Sequence, residues 1–173
     1  MIEAIASFTE RITKRLENNS GKRAQKLHLY FKHMLFSNPS SMDEAIQKIL
    51  FFDAIFWQAY HWHIGLGRLD KILYKYYTHD IARGIIDRND AKQMIYEMCK
   101  TLSRDMVAKS KTLLGDTGQY ILLGGINEIG DTVQNELTEI FLEIFTEYKF
   151  PDPKLILRVN EHTSDKILSL IHI

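Results

Sequence analysis

The 173-residue chain has one cysteine, three prolines and no excess of either charge. A lone cysteine, Cys99, cannot build an internal disulfide framework and fits a reducing compartment. The prolines fall in two turn-like segments, SNPSS and FPDP, which leaves the stretches between them free of proline breaks. Lys+Arg and Asp+Glu both number 22, so the basic excess of a nucleic-acid surface is missing. No apolar run approaches the length of a membrane span. The first residues, IEAIASFTERITKRLE, are amphipathic and charged, unlike the continuous apolar centre of a signal peptide. These absences predict a cytoplasmic protein that binds neither nucleic acid nor membrane. What the chain does have is 45% hydrophobic residues against 25% charged, enough for one domain with a substantial core.

Apolar residues at three and four spacings predict helices over 2–17 and 21–36, parted by NNSG. Ser41 and Glu44 form a capping box for a helix over 42–62. Gly65 and Gly67 then interrupt. A helix follows over 68–83 with Gly84 as its C-cap, and Asp87 or Asn89 caps another over about 90–110. The texture changes at Gly118. The run 119–123, closed by Gly124 and Gly125, predicts a buried strand. A helix capped by Asp131 is predicted over 131–148, a second strand over 154–160, and a helical start at Thr163. The C-terminal third is therefore strand–helix–strand, with a helix long enough to cross over between parallel strands. Two strands do not complete a layer. The pattern predicts an α/β, mostly helical piece of a larger fold.

Several residues invite chemistry. His61 and His63 stand one apart where a helix ends. On extended backbone they would face one way and could share a metal, while on a helix they diverge. A zinc site needs three or four ligands, and the other histidines are scattered, so a structural or pocket-lining role is favoured. GLGRLD lacks the third glycine of a dinucleotide loop and follows a helix, so Arg68 and Asp70 are expected to hold their neighbours by hydrogen bonds. In GGINEIGD, paired glycines allow a close approach to the backbone, and a following helix start would favour negative charge. Asp131 could equally satisfy that helix end itself. Cys99 reads as a small buried hydrophobe within a helix.

Three segments, in order, resemble one family. GLGRLDKILYKYYTHDIARGIIDRNDAKQMI resembles the Gly-Arg-Leu/Phe-Asp-Gln…Leu-Tyr-Pro-Tyr-Tyr stretch of the pyruvate formate-lyase-like glycyl radical enzymes. QYILLGGINEIGDTVQNELTEIFLEI resembles their Gly-Gly…Asn-Glu-Leu segment, and FPDPKLILRVNEHTSDKIL resembles the Pro-(Asn/Lys)-Leu-x-x-Arg segment that comes next. Lys71, Lys75 and Ser164 depart from the family's usual Gln, Pro and Pro, which suggests a divergent branch. The resemblance implies a partial piece of the ten-stranded α/β barrel, with outer helices plus about two strands. It implies that His61, His63 and Gly65 pass near the substrate cavity. It makes Gly67, Arg68, Asp70, Gly124, Gly125, Asn135 and Arg158 scaffold motif residues.

The family's chemistry uses a glycyl radical on a C-terminal loop and a cysteine on a mid-barrel loop. Neither motif is present, and Cys99 on its helix does not take the cysteine's place. The expectation is a catalytically inactive fragment, residues 1–167, that binds no cofactor or metal. Its full-length parent would carry the glycyl radical, cleave a small-molecule substrate by radical chemistry, and depend on a radical S-adenosylmethionine activase. A homodimer is compatible with this. The last residues, LSLIHI, are what a transposase mosaic-end adapter sequence encodes, so 168–173 is expected to be non-native. The rival readings are a helical interaction module over 1–110 and a small metal enzyme using His61 and His63.

Overall fold

A computed structural model describes residues 2–59, 63–104 and 118–171. The chain divides into two compact units, Met1–Ser40 and Ser41–Ile173.

The first unit is a helical hairpin. Helix α1 (Ile2–Glu17) carries its apolar residues along one side, and α2 (Lys22–His33) packs against it. Asn19 ends the turn between them by accepting the Gly21 N–H at 3.0 Å. His28 Nδ1 lies 3.1 Å from the Thr13 carbonyl and ties the two helices together.

The second unit begins with α3 (Met42–Gln58), capped by the Ser41 hydroxyl. Strand β1 (Gly65–Arg68) leads into α4 (Leu69–Ala82), and Gly84 follows in the left-handed conformation at φ +63°. Helix α5 (Arg88–Arg104) starts on a reciprocal pair: Asp87 accepts from the Asp90 N–H and Asp90 from the Asp87 N–H. Strand β2 (Tyr120–Gly124), α6 (Glu136–Glu147), β3 (Lys154–Arg158) and the short α7 (Asp165–Ser169) complete the described elements.

The three strands form one parallel sheet in the order β1-β2-β3. The sequence predicted two of them. The third, β1, lies at GLGR, where the two glycines predict a break. Glycine does weaken strands in isolation, but here parallel pairing with β2 supplies the ladder. Gly67 sits at φ +79° beside an irregularity in the register between Gly65 and Gly67. This bulge turns Arg68 onto the face opposite Leu66.

One face of the sheet is core. Ile121 and Leu123 are fully buried, and Leu66, Leu155 and Leu157 pack with them against Leu69 and Leu73 of α4 and Leu137, Ile140 and Phe141 of α6. Each of the fully buried side chains contributes roughly 1.5–3 kcal/mol. The alternate residues Tyr120, Leu122, Lys154, Ile156 and Arg158 take the other face, where Ile156 stays 42% exposed. The helix side is fastened by charge as well. Arg88 of α5 donates to Glu143 of α6 at 2.5 and 3.2 Å and pairs with Glu136 at 3.2 Å, and Lys92 pairs with Glu147 at 3.0 Å.

Several boundaries differ from the sequence reading. Helix α3 stops at Gln58, ahead of the predicted 62. The end of the helix predicted to 110 lies outside the described residues beyond 104. Helix α6 does not begin at Asp131. Its cap is Asn135, which accepts from Leu137 N and Thr138 N while the Thr138 hydroxyl accepts from Asn135 N. Asp131 instead closes a turn with Asn127. The last helix is capped by Ser164, one residue after the predicted Thr163. It runs through Leu168 and Ser169, and Leu170 packs against the core.

Candidate functional site

The C-terminal end of the sheet gathers most of the residues the sequence singled out. The bulge at Gly67 aims the Arg68 guanidinium across β2, where it donates to the Gly124 carbonyl at 2.5 Å and the Ile126 carbonyl at 2.7 Å. Asp70, in the first turn of α4, is wholly buried beneath the same point. Its Oδ2 accepts from Gly124 N at 2.7 Å and from the Thr138 hydroxyl at 2.9 Å, and its Oδ1 accepts from Lys71 N at 2.8 Å. Asn135 Nδ2 donates to the Asp70 carbonyl at 3.0 Å. Burial pushes the Asp70 carboxyl above the usual carboxylate range, and the Gly124, Thr138 and Lys71 donors with the Arg68 charge pull against it.

The glycine pair serves the chain itself. Gly124 lies at φ +67°, and a β-carbon there would stand 2.7 Å from the Arg158 carbonyl. Gly125, at φ +83°, donates to that carbonyl at 2.8 Å, and the Arg158 side chain lies along it. What approaches these glycines is therefore β3. No helix start follows directly, because α6 begins only at Glu136, so the anion-at-helix reading and its Asp131 alternative both fall. The intervening loop is a closed turn. Asn127 Oδ1 accepts from Ile129 N and Asp131 N, and Lys71 pairs with Glu128 at 2.6 Å.

At the opposite end of β1, His63 is exposed and its ring lies over Gly118. A β-carbon on Gly118 would come within 2.3 Å of the ring. Gly65 follows on the strand, in register with Tyr120 and with no atom within 4 Å of where its β-carbon would be. His61 lies outside the described residues. Among the described residues, no group of three or more His, Cys, Asp or Glu is arranged to hold a metal. Cys99 is fully buried on α5, and burial pushes its thiol up to about 12.

Sequence reasoning missed two partners. Thr138, with no exposed surface, joins Asp70 to the α6 cap. Its signal was its place three residues after Asn135, the spacing of a reciprocal cap. Gly118 received the His63 ring. Its signal was a glycine standing just ahead of a β-type run.

Comparison with known proteins gives this geometry a context. The family model described as pyruvate formate lyase-like matches residues 1–171. Among curated proteins, the chain is 30% identical over 108 residues to the trans-4-hydroxy-L-proline dehydratase of Clostridioides difficile, a match covering 59% of this chain and 14% of that protein. It is 28% identical over 110 residues to the 4-hydroxyphenylacetate decarboxylase glycyl radical subunit of the same organism, covering 61% and 12%. In fold it is similar to a glycyl radical enzyme from Archaeoglobus fulgidus (TM-score 0.81, 23% identity, 98% of this chain and 24% of that one). It is also similar to a Roseburia inulinivorans protein solved in a study of 1,2-propanediol dehydration (TM-score 0.82, 21% identity, 97% and 23%). The chain spans a small part of each.

Proposed function

The chain belongs to the pyruvate formate lyase-like family, and from that premise we propose that it is a section of the barrel wall of a glycyl radical enzyme. The observation that carries this is a parallel sheet packed with helices on one face and half bare on the other. In a barrel the bare face turns inward. His63 and Gly65 stand at the edge of that face, and with His61 they are assigned to the substrate cavity. Gly65, with open space at its β-carbon position, would leave room for a substrate group that any larger residue would fill.

In this reading the scaffold residues hold the wall. Asp70 and Arg68 grip Gly124 from its two sides, Gly67 supplies the bulge, Gly125 admits Arg158, and Asn135 ties α6 to α4. The packing of α4 on β2 and of both α4 and α5 on α6 uses these helices as sheet cover, which favours a scaffold over a free-standing helical module. The full-length protein would carry out radical lyase chemistry, dehydration or decarboxylation being the reactions named for the relatives, or acyl transfer, on a small polar metabolite. It would be anaerobic and cytoplasmic, and would depend on a radical S-adenosylmethionine activase to place a radical on its own glycine. The radical supplies hydrogen abstraction from substrate through a cysteine. This chain's residues shape the space in which that happens.

The test is electron paramagnetic resonance of the full-length gene product after anaerobic activation. A backbone glycyl signal is expected. Gly65→Leu is expected to keep that signal and lose turnover. Absence of any organic radical with a competent activase would sink the reading.

A further inference from the structure

We propose that Tyr120 is a specificity-determining residue of the assigned cavity, and that the side of its ring toward Gly65 stacks on a planar, unsaturated ring of the substrate. Gly65, Tyr120 and Lys154 are register partners across β1, β2 and β3, so they share one row on the half-bare face of the sheet. His63 stands at the start of that row, two residues before Gly65, with its ring over Gly118.

An aromatic side chain beside a strand glycine ordinarily packs over it and covers the bare backbone. Tyr120 does not, since no atom lies within 4 Å of where a Gly65 β-carbon would stand. The ring is attended from its other side. Lys154 comes from β3, the strand away from Gly65, and its Nζ lies over the ring at 5.7 Å from the centroid. One side of Tyr120 therefore meets a cation and the other borders open space. Neighbouring strands lie about 4.8 Å apart, and a flat ring stacks at about 3.5–4 Å, so the missing Gly65 side chain leaves a slot that suits a planar group better than a puckered one. A cation on one side of the ring also draws on its π density, which makes an electron-rich ring such as a phenol the better partner on the other. Leu122 and Ile156 follow on the same face and continue it as apolar surface. The Arg68 guanidinium is spent on the Gly124 and Ile126 carbonyls at the far end of the sheet.

The inference deepens the proposed function by giving the substrate a class, a small molecule with a planar unsaturated ring, and in that respect rests on it. The binding step itself needs no radical, so it can fail separately. The probe is phenol against cyclohexanol, which has the same hydroxyl and ring size but is not planar. Binding is followed by saturation-transfer NMR on the full-length gene product without activation.

Phenol is expected to bind saturably and more tightly than cyclohexanol. Gly65→Val places a strand-favouring side chain in open space, so the fold should hold, and it is expected to abolish phenol binding. Tyr120→Leu is expected to weaken phenol by roughly three- to tenfold, while Tyr120→Phe, which keeps the ring, retains it. Equal affinity for phenol and cyclohexanol overturns the planar class. Unchanged phenol affinity in Gly65→Val overturns the slot, and unchanged affinity in Tyr120→Leu overturns the stacking. If phenol fails to bind while the activated full-length protein shows its glycyl signal, the site is wrong and the enzyme reading stands.

Discussion

Replacing Asp70 tests the centre of the network. Its side chain accepts three hydrogen bonds from three places: the start of α4, the end of β2 and the first turn of α6. Asp70→Ala leaves the Lys71 and Gly124 amides and the Thr138 hydroxyl without that acceptor, in a place where water does not reach Asp70 itself. Each orphaned buried group costs about 1–3 kcal/mol, and removing a charge that burial disfavours returns part of the loss. The net expectation is about 3–5 kcal/mol. Asp70→Asn keeps one carbonyl oxygen for Gly124 and Thr138 but turns an NH₂ toward the Lys71 amide. It should cost less, about 1–2 kcal/mol.

The pH dependence has a definite sign. Burial raises the folded carboxyl above its unfolded value of 3.8, so folded and unfolded chains are both protonated at lower pH. The charge penalty of the native state then appears as pH rises through the folded pKa. The stability gap between wild type and Asp70→Asn should be widest near pH 4 and narrow above it. Denaturant unfolding of wild type and the two variants across pH measures this directly. A cost under about 1 kcal/mol for Asp70→Ala, or a gap that widens with pH, would refute the network argument.

Three further outcomes follow from the same geometry. Gly124→Ala must place a β-carbon 2.7 Å from the Arg158 carbonyl at φ +67°, and is expected to lower stability by about 2–4 kcal/mol, read as a fall in melting temperature. Arg88 donates to Glu143 and holds that carboxyl below its usual value of 4.5, so the pair's contribution is present above 4.5 and lost as pH falls through the lowered value. With the Arg88 side chain 37% exposed the contribution is under about 1 kcal/mol, and the gap between wild type and Arg88→Met should close in acid. Cys99, with its thiol pushed up to about 12 and no exposed surface, should resist alkylation in the native protein at pH 8 and react fully in denaturant.

Helices were legible wherever the chain caps itself locally. Ser41 with Glu44, Asp87 and Gly84 each act within a few residues of the helix they bound, so spacing alone revealed them. Arg68 and Asp70 were legible as hydrogen-bonding residues because neither fits a phosphate loop. Their targets were not legible, since Gly124 and Thr138 are more than fifty residues away and only the fold brings them together. Strand β1 was missed for a related reason. Two glycines in four residues carry no β signal, and the strand exists because β2 pairs with it. The true cap of α6 was not legible, because Asp131 and Asn135 are both capping residue types. The choice was decided by the turn that Asn127 closes with Asp131, which delays the helix.

The Asp70 carboxylate also has a place in time. Its partners are made in sequence: Lys71 at once, Gly124 after α4 and α5 have been made, and Thr138 last, 68 residues behind it. A nascent chain that has reached β2 has an acid and an amide that must find each other across a long loop, and parallel pairing of this kind closes slowly. Until Thr138 arrives, the carboxylate can be solvated, with α4 held by its own turns and its packing on α3. Folding of the second unit would then wait on α6, and β3, made after that helix, would complete the sheet last.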